Sequence, residues 1–264
     1  MGVVNVTPDS FSDGGLFSSC DQAVSHALSL VDAGANILDI GGESTRPGAP
    51  EVSVEDEMAR VLPVIEGLRQ RTTVPISIDT TKSVVADAAL AKGACMVNDI
   101  SGLTFDPAMA AIAARHSASV CVMHIQGTPR TMQHAPTYAD VTKEVVQFLK
   151  AAVQRATKAG VDPDAICVDP GIGFGKTLEH NLALINQIGR IAHETGRPVL
   201  AGVSRKSFIG MITGKAVHDR LSGTLAAVTA SIMRGARIVR VHDVAEVADA
   251  VKVVDALVRH DVSA

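Results

Sequence analysis

The sequence predicts a single α/β domain over residues 1–264, built as a (β/α)8 barrel of the TIM type. Three observations lead to this prediction. Eight short runs rich in valine and isoleucine alternate with segments of helical periodicity along the whole chain. The length of 264 residues is close to the usual size of such a barrel, about 250 residues. A polar side chain able to bind or ionise lies in, at or just after the end of each run.

The predicted strands are apolar and β-branched, which is typical of parallel strands buried on both faces. They cover residues 2–6, 37–40, 76–78, 96–97, 120–123, 166–168, 198–203 and 238–241. The predicted helices cover residues 21–33, 54–68, 83–91, 107–115, 138–159, 178–194, 220–234 and 244–259. Right-handed crossovers bring the carboxyl ends of all strands to one face, so we expect the polar groups on one rim. An open doubly wound sheet is the alternative, but the first run lacks the GxGxxG turn that usually follows it there.

Composition excludes several classes of protein. The chain has 47% hydrophobic residues and a net charge of −4, with no long basic run for nucleic acid or a membrane surface. It has no signal-peptide pattern and no apolar stretch of about 18 residues that could span a bilayer. The four cysteines form no CxxC pair, and three of them, Cys95, Cys121 and Cys167, fall in or directly before predicted buried strands. We therefore expect a cytoplasmic protein with free thiols, which binds neither nucleic acid nor membrane.

One set of rim residues has the chemistry of a heterocycle pocket. Asp79, Asn98, Asp169 and Lys206 lie at the ends of the third, fourth, sixth and seventh runs. A carboxylate can accept two parallel N–H groups, and a lysine can donate to a carbonyl or a ring nitrogen. Asp79 or Asn98 alone could equally cap the following helix. Four such groups in buried apolar runs favour the pocket.

A second set is suited to a phosphorylated group. Arg46 follows the second run, and Arg240 and His242 alternate along the eighth, which places both on one face of a strand. Barrels of this type often bind phosphate near the loops of their last strands. An isolated arginine or histidine is more often an ion-pair partner or a polar cap, and this alternative stays open for Arg240 and His242.

Two loops are predicted to act as lids, because residues 7–15 and 41–50 are too polar for a core and too rich in glycine for a helix. The loop at residues 169–176 lacks the GxxxxGK[ST] spacing and is not predicted to be a nucleotide-binding loop. His124 follows the fifth run, and we expect it to hold that loop rather than to react. No HExxH pattern indicates zinc.

Over essentially its full length the chain resembles the dihydropteroate synthase family of pterin-binding barrels. The segments that carry the resemblance are Asn-Val-Thr-Pro-Asp-Ser-Phe-Ser-Asp-Gly-Gly (5–15), Gly-Gly-Glu-Ser-Thr-Arg-Pro-Gly (41–48), Ser-Ile-Asp-Thr (77–80), Asn-Asp-Ile (98–100), Asp-Pro-Gly-Ile-Gly-Phe-Gly-Lys (169–176), Ser-Arg-Lys-Ser (204–207) and Arg-Val-His-Asp (240–243). The resemblance implies a transferase of folate synthesis and a sulfonamide target. Its reaction joins 6-hydroxymethyl-7,8-dihydropterin pyrophosphate to p-aminobenzoate, giving 7,8-dihydropteroate and pyrophosphate.

The resemblance also implies roles for individual residues. The pterin would be held by Asp79, Asn98, Asp169 and Lys206. The pyrophosphate would be held by Asn5, Thr45, Arg46, Arg240 and His242, with a Mg²⁺ cofactor beside Asn5. The p-aminobenzoate site would be lined by Phe11, Pro47, Phe174 and Ser207. Asp13, Arg46 and Lys206 would be the catalytic residues, and the family suggests a homodimer formed through outer helices.

Two other functions would use a similar barrel. A methyltetrahydrofolate:corrinoid methyltransferase would explain the pterin residues but has no use for the pyrophosphate residues Arg46, Arg240 and His242. A non-catalytic pterin-binding protein should have lost residues such as Asn5, Asp13 or Arg46, and all three are present. The synthase is therefore the preferred prediction.

Overall fold

The computed structural model describes residues 1–7, 15–46 and 48–261. Within these residues, eight parallel strands form one sheet whose spatial order follows the chain order. The strands are β1 Gly2–Asn5, β2 Leu38–Gly41, β3 Ile76–Asp79, β4 Met96–Asp99, β5 Ser119–Met123, β6 Ile166–Asp169, β7 Val199–Ala201 and β8 Ala236–Val239. A parallel bridge between Gly2 and Val241 closes the sheet on itself. The predicted (β/α)8 barrel is confirmed.

The helices pack outside this barrel. They are α1 Gly15–Asp32, α2 Val54–Arg69, α3 Ser83–Ala91, α4 Met109–Arg115, α5 Val141–Lys158, α6 Leu178–Asn186, α7 Ile188–Thr195, α8 Ser207–Thr213, α9 Leu221–Met233 and α10 Val244–Asp261. Within the described part of the chain, none of them is long and apolar enough to cross a membrane.

Strand alternation separates two kinds of core. Outward-facing residues such as Ile78, Val97 and Val168 are fully buried in the large cluster shared with the helices. Inside the barrel, Met96, Cys121, Cys167 and Leu200 form a small apolar cluster. Two residues further along their strands, the same inward face carries Asn98 after Met96 and Asp169 after Cys167. The sequence thus fills the bottom of the barrel with apolar groups and leaves polar groups at its carboxyl end.

The structure differs from the prediction at several elements. The single helix predicted over residues 178–194 is two helices, α6 and α7, which meet at Gln187, where φ is −105° and ψ is 15°. The short helix α8 was not predicted. Helix α1 begins at Gly15 rather than at residue 21. The sequence predicts the later start because the recognisable apolar periodicity begins only at Ala23 and Val24. Cys95 precedes β4 and is exposed, so its predicted burial is wrong.

Candidate active site

Strand register brings the predicted pterin residues to one rim. Asp79 is the last residue of β3, and its register partners are Gly41 on one side and Asn98 on the other. Asp169 ends β6 beside Met123 of β5. Asn98 and Asp169 are almost fully buried, with exposures of 5% and 6%. The convergence of these side chains inside the barrel follows from the period of two along each strand.

The centre of this rim is an ion-pair network around Arg240. Its Nε donates to Asp39 Oδ2 at 2.6 Å, and its Nη2 donates to Asp79 Oδ2 at 2.7 Å. Asn98 Nδ2 also donates to Asp39 Oδ2, at 3.0 Å. Burial raises the pKa of Asp79 to about 7, although the charge of Arg240 opposes the shift. Near neutral pH the Asp79 carboxyl can therefore both accept and give up a proton.

Asp39 is a site residue that the sequence analysis missed. It is fully buried, and its Oδ1 has no hydrogen-bond partner among the described residues. The signal available in the sequence was a charged residue in an otherwise apolar run. In the structure Asp39 points into the barrel, at the position whose register partner is Ser77. In this structure Arg240 pairs with the carboxylates of Asp39 and Asp79. Its predicted role in binding pyrophosphate stays a prediction.

On the opposite side of the rim, Lys206 lies between a carboxylate and an aromatic ring. Its Nζ lies 4.2 Å from the centre of the Phe174 ring, a cation–π geometry. Asp169 is the carboxylate nearby, and its Oδ1 accepts from the Gly171 backbone N–H at 2.7 Å. Burial lowers the pKa of Lys206 to about 8, and the charge of Asp169 limits the shift. The structure thus brings together the lysine of the predicted pterin set and the phenylalanine of the predicted p-aminobenzoate set.

His242 lies just after β8, beside the loop that follows β7. Its Nδ1 is 3.2 Å from Ser204 Oγ, and its backbone N–H donates to the same oxygen at 3.3 Å. Burial lowers the pKa of His242 to about 4, and the charges of Arg240 and Arg205 act in the same direction. The imidazole is therefore neutral at pH 7. Next to it, Arg205 forms an ion pair with Asp243, with Nε donating to Oδ2 at 2.9 Å.

The loop after β2 borders a cavity of about 290 Å³. Thr45 and Asp79 both line it, together with residues of the loops after β3, β4 and β5. Lys82 lies in its wall and donates to Glu43 and, at 2.5 Å, to Oε2 of the fully buried Glu57. The cavity therefore opens beside Asp79, one of the predicted pterin residues.

Other predicted site residues lie at the edge of this region or outside the description. Arg46 and Ser207 are exposed, and Asn5 and Thr45 are half-buried. Phe11, Asp13 and Pro47 lie outside the described residues, as does most of the predicted first lid.

The residues near the end of β1 offer few donors for the predicted Mg²⁺. Among the described residues, no group of three or more His, Cys, Asp or Glu side chains could hold a metal ion. Asn5 at the end of β1 offers one amide oxygen, a ligand type that Mg²⁺ accepts. Mg²⁺ commonly takes one or two protein oxygens and completes its octahedron with waters and substrate phosphates. Asn5 would fit a magnesium ion that takes its remaining ligands from waters and pyrophosphate, and the Mg²⁺ cofactor stays a prediction.

Comparison with known proteins agrees with this geometry. The family model described as pterin binding enzyme matches residues 1–242. A dihydropteroate synthase of Synechocystis is 51% identical over 98% of this chain and 90% of its own. The Yersinia pestis dihydropteroate synthase in a sulfonamide drug complex has a TM-score of 0.92 at 44% identity, covering 97% of this chain and 93% of its own. The Xanthomonas albilineans dihydropteroate synthase with 4-aminobenzoic acid has a TM-score of 0.91 at 46% identity, covering 97% and 92%. This chain belongs to the pterin-binding enzyme family and, within it, to the dihydropteroate synthases.

Proposed function

We propose that the chain condenses 6-hydroxymethyl-7,8-dihydropterin pyrophosphate with p-aminobenzoate, releasing pyrophosphate and 7,8-dihydropteroate. The observation that carries the proposal is the convergence of Asp79, Asn98, Asp169 and Lys206 on one buried rim. The identity of 51% to a dihydropteroate synthase supports the reaction.

The pterin would lie across the barrel mouth, between Asp79 and Asn98 on one side and Asp169 and Lys206 on the other. Asp169 keeps one oxygen on the Gly171 N–H, which leaves the other free to accept from an aminopyrimidinone edge. Asn98 and Asp79 offer an amide and a carboxyl whose pKa is about 7, suited to ring nitrogens that either donate or accept. Lys206 supplies the cationic donor on the other side.

The leaving pyrophosphate would be bound by Asn5, Thr45, Arg46, Arg240 and His242. Mg²⁺ at Asn5, when bound, would neutralise charge on the departing phosphate oxygens. His242 is neutral at pH 7 and would offer its single ring N–H to a phosphate oxygen. Arg240 would have to share its guanidinium between the carboxylates and the pyrophosphate.

The p-aminobenzoate would then approach between Phe174, Ser207, Phe11 and Pro47. Its amine is already neutral at pH 7, so no strong general base is needed. Departure of pyrophosphate leaves a cation that the dihydropterin ring delocalises, and Asp13 would stabilise this charge. Closure of the first two loops would exclude water from the reacting centre.

We also propose a homodimer in the cytoplasm. The outer helices expose Met211 and Ile212 on α8, Met233 on α9, and Val253 and Leu257 on α10, each more than half exposed. These residues are the candidates for the surface that a second copy would cover. The thiols of the described cysteines are free, as expected in a reducing compartment.

Pyrophosphate release tests the function. The protein is mixed with both substrates and Mg²⁺ and compared with Lys206→Ala and Asp13→Ala. We expect release that requires p-aminobenzoate and falls at least about 100-fold in each variant, as is typical when transition-state charge loses its partner. Release that does not depend on added p-aminobenzoate would refute the synthase assignment.

A further inference from the structure

The backbone of the loop between β6 and α6 is held by three side chains from outside the loop, Gln133, Tyr138 and Asn181. The Gly173 N–H donates to Asn181 Oδ1 at 2.7 Å, and the Gly173 carbonyl accepts from Gln133 Nε2 at 2.7 Å. Tyr138 donates its hydroxyl to the Gly175 carbonyl at 2.7 Å. Gly171 has a φ of +70°, and a Cβ there would lie 1.9 Å from the His124 carbonyl oxygen. The loop is thus fixed against the loop that follows β5.

Lys176 is the buried charge within this loop, with an exposure of only 4%. Its Nζ donates to the Phe174 carbonyl at 2.8 Å and lies 3.0 Å from His124 Nδ1. When Lys176 is an ammonium it only donates, and His124 then accepts at Nδ1 and carries its proton on Nε2. The His124 ring itself is fixed edge-to-face against Phe148, with the ring centres 4.9 Å apart.

The hydrogen bond to the Phe174 carbonyl connects this buried pair to the candidate active site. The same Phe174 presents its ring to Lys206 Nζ. We propose that Lys176, seated on His124, is a positioning residue that fixes the Phe174 ring beside the Lys206 ammonium for binding of the arylamine substrate. The inference rests on the proposed function, because Phe174 and Lys206 are assigned there to the two substrates.

The cost of burying Lys176 supports a role beyond packing. Burial lowers the pKa of Lys176 to about 7; the charge of Asp169 opposes this shift and the charge of Lys206 adds to it. The side chain that Lys176 contacts is the neutral imidazole of His124. Replacing a buried charge with an apolar group of similar volume is often neutral or stabilising. A lysine that served only to fill space would therefore be a poor choice at this position.

The first test is Lys176→Met, with Lys158→Met as the matched control at an exposed position in the last turn of α5. We expect the KM for p-aminobenzoate to rise about tenfold while kcat stays within about threefold, since a misplaced Phe174 weakens binding of one substrate. The KM for the pterin substrate should rise less, because Asp79 and Asn98 do not depend on this loop. The control should match the wild type.

Two variants of His124 separate positioning from packing. His124→Asn keeps an oxygen near the place of Nδ1 but loses ring volume, whereas His124→Leu keeps volume and loses the acceptor. We expect the KM for p-aminobenzoate to rise in the leucine variant and to stay within about threefold of wild type in the asparagine variant. A KM that follows thermal stability across both variants would overturn the proposal, and these two variants decide it if Lys176→Met does not fold.

Tyrosine fluorescence gives a readout that is independent of activity. Tyr138, in the loop after β5, is the only tyrosine and the chain has no tryptophan, so the emission reports on its contact with the Gly175 carbonyl of the loop between β6 and α6. Acrylamide should quench Tyr138 at least about 1.5-fold more strongly in Lys176→Met than in wild type, because a released loop exposes it. Unchanged quenching together with unchanged KM values would refute the inference. If the wild type released no pyrophosphate, the proposed function would fail, and the quenching comparison would still test whether Lys176 holds the loop.

Discussion

Removal of the Arg240 guanidinium should destabilise the protein strongly, and more at high pH than at low pH. Arg240→Met takes the counter-charge from Asp39, which is fully buried, and from Asp79, whose side chain is 11% exposed. Each pair, with charge centres about 4 Å apart at an effective dielectric constant of about 20, contributes about 4 kcal/mol before desolvation is subtracted. Breaking a buried pair by removing one partner typically costs 3–5 kcal/mol. We therefore expect a loss of about 4 kcal/mol in the free energy of unfolding at pH 8.

The pH dependence follows from the raised pKa of Asp79. The folded pKa of Asp79, about 7, lies above the ordinary value of 3.8. The stability that Asp79 contributes through this raised pKa is therefore fully present below about pH 4 and is lost as the pH rises through 7. Without Arg240 that pKa rises further, and the folded variant keeps a proton that the unfolded chain has lost. The cost of Arg240→Met should therefore be about 1 kcal/mol smaller at pH 6 than at pH 8, because a proton contributes at most about 1.4 kcal/mol per pH unit and wild-type Asp79 itself releases its proton midway through this range.

Urea unfolding of wild type and variant at pH 6, 7 and 8 measures these differences. Arg190→Met is the matched control, because Arg190 pairs with Glu194 on the surface of α7 and its loss should not be measurable. Adding Asp39→Asn to Arg240→Met should recover part of the lost stability by removing the uncompensated charge. A cost below about 1 kcal/mol, or one that is the same at all three pH values, would refute the ion-pair reasoning.

Three further predictions concern the supports of the rim. Gly171→Ala would place a Cβ against the His124 carbonyl at a φ of +70°, so activity with both substrates should fall at least about 100-fold, and a near-normal rate would contradict the geometry. Burial lowers the pKa of His124 to about 3 from 6.5, so wild type loses stability as pH falls below 6.5. His124→Leu removes this penalty, so the difference in urea midpoint between wild type and His124→Leu should narrow or reverse from pH 7 to pH 5. A difference that stays constant would contradict the lowered pKa of His124. Lys82→Met leaves Glu57 buried without its cation and should lower the free energy of unfolding by about 3 kcal/mol, with recovery in the double variant Lys82→Met/Glu57→Gln; absence of recovery would indicate another cause.

The order of the elements could be predicted because it depends on local pattern. Helices α2 and α3 were predicted to within a residue, since Val61, Ile65 and Leu68 repeat at helical spacing. The break between α6 and α7 at Gln187 was not predictable, because the apolar pattern continues through it. In the folded protein both helices contact α5, but α6 also packs against α8 and α9 whereas α7 packs against β7 and β8.

By itself the sequence determined the barrel and the polar groups at its carboxyl end, because strand alternation and parallel connections place Asp79, Asn98 and Asp169 on one rim. Only the tertiary structure decided how those groups are paired. Arg240 reaches Asp39 across 201 residues of sequence, and Lys176 reaches His124 across 52. The physical reason is that periodicity is set by neighbours along the chain, whereas the partner of a buried charge is fixed only when the barrel closes and excludes water.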